Sequence, residues 1–156
     1  GRLVMASNRH LGRIVALQTL YEYEFRKDAG DKNLNYKDIL ERNLAEYKSS
    51  IDDVTFVDNL VSGVLSSTAK LDEELRPLAP EWPLEQILRI DRTVLRIGLY
   101  ELLFCVDSVP PKVAINEAVE LAKAFGSDNS GKFVNGVLGT ALRNLVEESD
   151  SENKQF

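Results

Sequence analysis

One histidine and one cysteine in 156 residues leave little from which to build a catalytic or metal centre. His10 and Cys105 cannot make a zinc site, which takes four ligands, mostly Cys and His, at short spacings. A lone thiol also excludes an internal disulfide and points to a reducing compartment, here read as the cytoplasm. Glycine is sparse, and Gly126-Ser127-Asp128-Asn129-Ser130-Gly131 is no phosphate loop, lacking the Lys-Ser/Thr ending and a preceding strand. The paired carboxylates Glu73/Glu74 and Glu147/Glu148 point apart on a helix and read as solvated surface. No stretch alternates apolar and polar residues as a half-buried strand does. No apolar run reaches the roughly 20 residues that cross a bilayer, and residues 1–10 have no apolar core of a signal peptide. The expectation is a protein without enzymatic activity, cofactor, metal or membrane span.

What is present is helical periodicity. Ile90 to Val106 is apolar around nearly its whole circumference, with Val94, Leu95, Ile97, Leu99, Leu102, Leu103, Phe104 and Val106. A helix apolar all round is a buried one, so this stretch is expected to form the centre of the fold, with Cys105 as a core thiol. Before it, Leu11 to Phe25 puts Leu11, Ile14, Val15, Leu17, Tyr21 and Phe25 on one broad face, with Ser7 or Asn8 to cap its start. Asn35 and Asp38 can cap a second helix running to about Tyr47. A third begins near Val54, after a break at residues 49–53. Pro77, Pro80 and Pro83 make a rigid connector, with Trp82 expected to tuck against the core. After the central helix, Pro110 and Pro111 open an amphipathic segment to Phe125, with Gly126 as its C′ residue. A last helix carries Val134, Val137, Leu138, Ala141, Leu142 and Leu145. The reading is all-α, six to seven helices, in one domain over residues 8–146. Residues 1–7 read as an extension, disordered or foreign to the native chain, and residues 147–156 as a polar, frayed tail.

The net charge of −6 argues against indiscriminate binding to nucleic acid, which is driven by phosphate neutralisation. The charge is uneven. Residues 1–27 hold five Lys/Arg against two Asp/Glu, whereas residues 28–80 hold six against eleven and residues 81–156 eight against twelve. An anionic partner should therefore meet the N-terminal end.

Three clusters rise above this background. Arg9, His10 and Arg13 make a small basic group on an open side of the first helix, and Tyr21 follows His10 by about three turns. They read either as ordinary surface charge or as an anion contact. Arg89, Arg92 and Arg96 form a ridge on the central helix. Arg96 lies deep in apolar sequence and needs an acidic partner, for which Glu117 and Glu120 are candidates, while phosphate or partner contact suits Arg92 better. Lys132-Phe133 follows a Ser/Asp/Asn loop, and Phe133 sits about 100° off the centre of its helix's apolar stripe, at the edge. Phe133 is either a peripheral core ring or a platform on which an unpaired base stacks.

Together the segments resemble the NusB family of transcription antitermination proteins. The residues that carry the likeness are Arg9-His10-Leu11-Gly12-Arg13 with Ala16, Gln18, Leu20 and Tyr21. Ile90-Asp91-Arg92, Val94-Leu95-Arg96-Ile97 and Leu99-Tyr100-Glu101-Leu102 follow. Val109-Pro110, Lys112-Val113-Ala114-Ile115-Asn116-Glu117-Ala118, Glu120-Leu121-Ala122-Lys123, Phe125-Gly126 and Lys132-Phe133-Val134-Asn135-Gly136-Val137-Leu138 complete it, all in the family's order.

The resemblance implies an all-α, NusB-like bundle in two packed helical subdomains. It further implies a cytoplasmic factor that, with NusE (a small-subunit ribosomal protein), binds boxA single-stranded RNA in nascent ribosomal RNA leaders. With other Nus factors and RNA polymerase it would support readthrough, and a homodimer that masks the arginine-rich face is a further implied state. By position, RNA contacts fall to Arg9, His10, Arg13, Tyr21, Asn129, Lys132 and Phe133, and the partner-facing positions are Asp91 and Arg92. Two departures from the family pattern are His10 and Leu11 where arginines often stand, and Asn129 where some members have Asp. The first implies weak RNA binding without the partner. Two other readings stay open: the NusB-like domain of an rRNA cytosine methyltransferase, and a helical interaction module that does not bind RNA.

Overall fold

Six α-helices, separated by short turns, make up the computed structural model, which describes residues 8–154. They are α1 (Arg9–Asp28), α2 (Tyr36–Tyr47), α3 (Val54–Leu75), α4 (Arg89–Phe104), α5 (Pro111–Phe125) and α6 (Ser130–Lys154). Single 3-10 turns occupy Lys48–Ser50, Arg76–Leu78 and Leu84–Gln86, and no strand occurs among the described residues. None of these helices is long and apolar enough to cross a membrane. The all-α expectation holds. The extension expected at residues 1–7, including Ser7 as a cap, lies outside the described residues.

The chain divides into two compact units, the first ending at Ser66 and the second starting at Ser67, so α3 contributes to both. In the first unit, Asn8 caps α1, its side chain accepting from the Leu11 amide at 3.4 Å. Asp53 caps α3 in the same way, accepting from the Phe56 amide at 2.9 Å. Each such cap contributes about 1 kcal/mol by satisfying an amide the helix leaves without a partner. Val15, Ala16, Leu17 and Leu20 of α1 are buried, as are Ile39 and Leu40 of α2 and Val57, Leu60, Val61 and Val64 of α3. Gly12 lets α1 and α3 approach closely: a Cβ there would lie 3.0 Å from Val57 Cγ2. Polar ties join the helices, Asn43 donating to Thr19 (3.1 Å) and the Tyr36 hydroxyl to Asp58 (3.3 Å). Phe25 is 56% exposed, against the expected apolar face, because the buried run of α1 stops at Leu20.

In the second unit α4 packs on α5 and α6, and α5 packs on α6. The three meet at Gly98, where a Cβ would come within 2.5 Å of Leu138 and 3.1 Å of Ala118. The central helix is shorter than its apolar run. It ends at Phe104, and Cys105 closes it, its amide bonded to the Glu101 carbonyl at 3.1 Å. Cys105 is thus half-buried at a helix end instead of lying in the core, and Phe104 and Val106 are exposed. The reason is a turn in which the Ser108 and Val109 amides both bond the Cys105 carbonyl, leading out to Pro110.

Arg96 finds its acid, but not the one expected. Its guanidinium grips Asp72 of α3 through two bonds of 2.8 and 2.9 Å. Trp82 does not tuck inward: it is 57% exposed, because the proline-fixed connector turns at the surface and Leu84 and Ile87 fill the adjoining interior. Gly126 ends α5 in an extended conformation (φ −96°, ψ −162°), not the left-handed one expected of a C′ glycine. Space demands glycine there, since a Cβ would sit 2.4 Å from Ser130 Oγ and 2.7 Å from the Ala122 carbonyl. Finally, α6 continues to Lys154, so the stretch expected to fray from residue 147 is helical, its side chains through Glu152 open to solvent.

Candidate nucleic-acid interface

The basic group of the first unit sits on the first turns of α1. No acid accompanies Arg9 and His10 there, although a helix start favours negative charge. Neighbouring elements offset that. Asn8 ties the turn to the segment before α3, donating through its side-chain nitrogen to the Ser50 carbonyl (3.2 Å) and through its amide to Asp52 (3.3 Å). Arg9 lies 3.7 Å from Asp53, a loose pair with both side chains a third or more open. The Phe56 ring completes the arrangement: the Arg9 guanidinium stands 4.4 Å from its centroid and that of Arg13 5.1 Å. Cation–π contacts of this kind stabilise by about 0.5–2 kcal/mol, more where water is excluded.

The two arginines therefore share one ring and differ in access. Arg9 is half-buried and His10 exposed, but Arg13 is only 2% exposed. The sequence puts Arg13 on an open side of α1; the approach of α3 at Gly12 closes that side. Tyr21 is partly exposed farther along α1. Phe56 was missed by sequence reasoning, because a ring in the first turn of an amphipathic helix looks like any core residue. The only signal was its place three residues after Asp53, at a helix start.

The loop of the second unit is wound around Ser130. Its hydroxyl, 1% exposed, accepts from the Ser127 amide at 2.9 Å and lies 3.1 Å from the Ser127 hydroxyl. Glycines on either side make room: Gly126 passes over Ser130, and a Cβ on Gly131 would come within 2.9 Å of Lys123. With its ends so fixed, the loop exposes Ser127, Asp128 and Asn129, and the first turn of α6 exposes Lys132 beside half-buried Phe133. A ring held by packing on one side and open on the other can offer a face to a planar group.

Asp91 and Arg92 lie in the first turn of α4. Arg92 donates to the Leu84 and Ile87 carbonyls at 3.2 and 3.0 Å, so it holds the connector in place. Asp91 is 6% exposed, and its Oδ1 has no hydrogen-bond partner, which makes it a buried acceptor still able to take a donor. Among the described residues no group of three or more His, Cys, Asp or Glu side chains gathers as metal ligands.

Comparison with known proteins gives consistent matches. The model of the NusB family matches residues 10–143. Transcription antitermination protein NusB of Chloroflexus aggregans is 43% identical over 99% of this chain and 99% of its own. Among solved structures, T. maritima NusB aligns with a TM-score of 0.74 at 33% identity, over 87% of this chain and 91% of that one. A structure of antitermination factors NusB and NusE in complex with dsRNA aligns with a TM-score of 0.71 at 23% identity, over 85% and 93%. That last likeness is one of fold.

Proposed function

The chain belongs to the NusB family, whose curated relatives carry the name of an antitermination protein and not of an enzyme; from this we propose that it binds RNA together with a NusE partner. The fold it shares with a protein seen with NusE and RNA supports that reading. In its finer form the RNA is the single-stranded boxA element of nascent ribosomal RNA leaders. The complex joins other Nus factors on RNA polymerase, in the cytoplasm, and supports readthrough. Similarity along 99% of an antitermination protein's own length favours this role over that of a methyltransferase domain.

The observation that carries the proposal is Lys132 beside the half-open ring of Phe133, at the end of a loop pinned by Ser130. A cation for phosphate next to a platform for a base suits an unpaired strand, in which bases are free to stack. Asn129 adds a side-chain amide to the same turn. In the first unit Arg9 and His10 supply the phosphate contacts, Tyr21 a second ring, and Arg13 braces Arg9 from behind through Phe56. On the protein side, the first turn of α4, with Asp91 buried beneath it and Arg92 keeping it in register, is the surface that would meet NusE.

The test is binding of a labelled single-stranded boxA RNA to this protein with its NusE. Phe133→Ala should weaken binding roughly 5- to 150-fold, the equivalent of about 1–3 kcal/mol for one stacked base. Arg9→Ala should lower the salt slope by about one phosphate contact. If Phe133→Ala binds as the parent does, with its circular dichroism unchanged, the ring is not part of the site.

A further inference from the structure

The second unit contains a groove that the RNA reading leaves unused. The last turns of α3, the turn Arg76–Leu78, the second half of α4 and the middle of α6 line a cavity of about 530 Å³. Its lining includes half-buried Leu78, Leu103 and Leu145 and the Phe104 ring, which is 50% exposed and leans on Tyr100 at 5.2 Å. A phenylalanine this open at the end of a buried helix fills no core and caps no helix. Thr140, Asn144 and Glu148 also line the groove and recur every four residues, so it follows two turns of α6, roughly 12 Å.

Its rim is acidic. Glu74 and Glu148 line it; among the described residues the only lining cation is Lys70, which lies 3.5 Å from Glu74. Beyond the lining, the exposed acids Glu73, Glu147, Asp150 and Glu152 outnumber the exposed cations described on the end of α3, the turn after it and the second half of α6: Arg76, which pairs with Glu85 at 3.0 Å, and Arg143. Charges within a Debye length of about 8–10 Å of one another add, so this excess of carboxylates makes the field at the groove net negative. That field repels nucleic acid, and it disfavours a second copy of this chain, whose net charge is −6.

We propose that this groove is a docking site for a basic amphipathic helix of a protein partner. Leu or similar side chains at spacings of three and four would enter the trough, and Lys or Arg on the flanks would meet Glu74 and Glu148. The length, the apolar lining and the sign of the rim all select that ligand, and none of them involves the residues assigned to RNA.

The probe is a fluorescein-labelled peptide of ~15 residues, long enough to form a helix, with Leu at helical spacing and Lys elsewhere; its control carries Glu in place of Lys. Both are titrated into the full chain, and the backbone amides are followed by NMR. The Lys peptide should bind more weakly as salt rises and shift amides near Leu78, Leu103, Phe104 and Leu145, while the Glu peptide should not bind. Glu74→Lys with Glu148→Lys should weaken the Lys peptide by about tenfold or more, and so should Phe104→Ala; both variants should keep the parent's circular dichroism and RNA affinity. Equal binding of the two peptides overturns the proposal. So do shifts confined to other surfaces, or unchanged affinity in the charge-reversed variant.

Discussion

Asp72→Ala would strip Arg96 of the carboxylate it grips, in a mostly buried setting. The two bonds, at 2.8 and 2.9 Å, are made by side chains only 11% and 19% exposed. Removing one member of a buried ion pair costs about 3–5 kcal/mol, since the other keeps its desolvation penalty without the attraction that offset it. A fifth of the Asp72 side chain remains open, so the low end applies, about 3 kcal/mol. For a chain of this size that corresponds to a fall in melting temperature of roughly 6–12 °C. Urea titration and thermal melting, both followed by far-UV circular dichroism, measure it. The control is the double variant Asp72→Ala with Arg96→Met, which removes the stranded charge and should recover most of the loss, to within about 1 kcal/mol of the parent. A single variant that loses less than about 1 kcal/mol, or a double variant no better than the single, would refute the argument that this pair carries α4 against the end of α3.

Two further outcomes follow from local geometry. Glu22 lies between Arg42 and Arg26; burial alone would raise its carboxyl, but the hydrogen bonds and charges of the two arginines outweigh that and hold it below the ordinary range. Its folded value being depressed, the stabilisation is present at neutral pH and lost as pH falls through that value, so Glu22→Gln should melt below the parent at pH 7 and alongside it in acid; an equal gap at both values would deny the linkage. Gly126→Ala forces a methyl into Ser130 and the Ala122 carbonyl, and should cost about 1–3 kcal/mol in urea titration; a neutral result would mean the loop is free to move.

How legible this fold was depended on how far each signal reached along the chain. Helix starts were readable because a cap acts within three residues, as at Asn8 and Asn35. Helix interiors were readable from apolar spacing, which placed Val94, Leu95, Ile97, Leu121 and Leu138 correctly in the core. Burial toward the helix ends was not, although the ends at Tyr47 and Phe125 were, because the period says which side is apolar and not whether anything covers it. Phe25, Phe104 and Phe125 all continue an apolar pattern past the point where packing stops, and all three are exposed. Partners distant in sequence were beyond reach for the same reason. Arg96 plainly required an acid, but nothing local separates Asp72, which lies 24 residues away, from Glu117 or Glu120.

The candidate site shows the same division and sharpens the case for its role. Lys132 and Phe133 could be placed from helical angle alone, because one sits off the stripe and the other at its edge. Arg13 could not, because its burial is decided by α3 arriving at Gly12, a contact 45 residues away in sequence. What that contact creates is informative. A helix that begins with Arg9 and His10, and has no acid in its first turn, works against its own dipole, which is positive at that end. The penalty is about 0.3–1 kcal/mol, and here Asp53 and the Phe56 ring offset it, the ring serving two guanidiniums at once. A design for stability alone would place Asp or Glu at those positions and dispense with the ring. Keeping the cations and building a support beneath them yields a helix end where dipole and side chains attract the same sign of ligand, which is the electrostatic requirement for holding a phosphate.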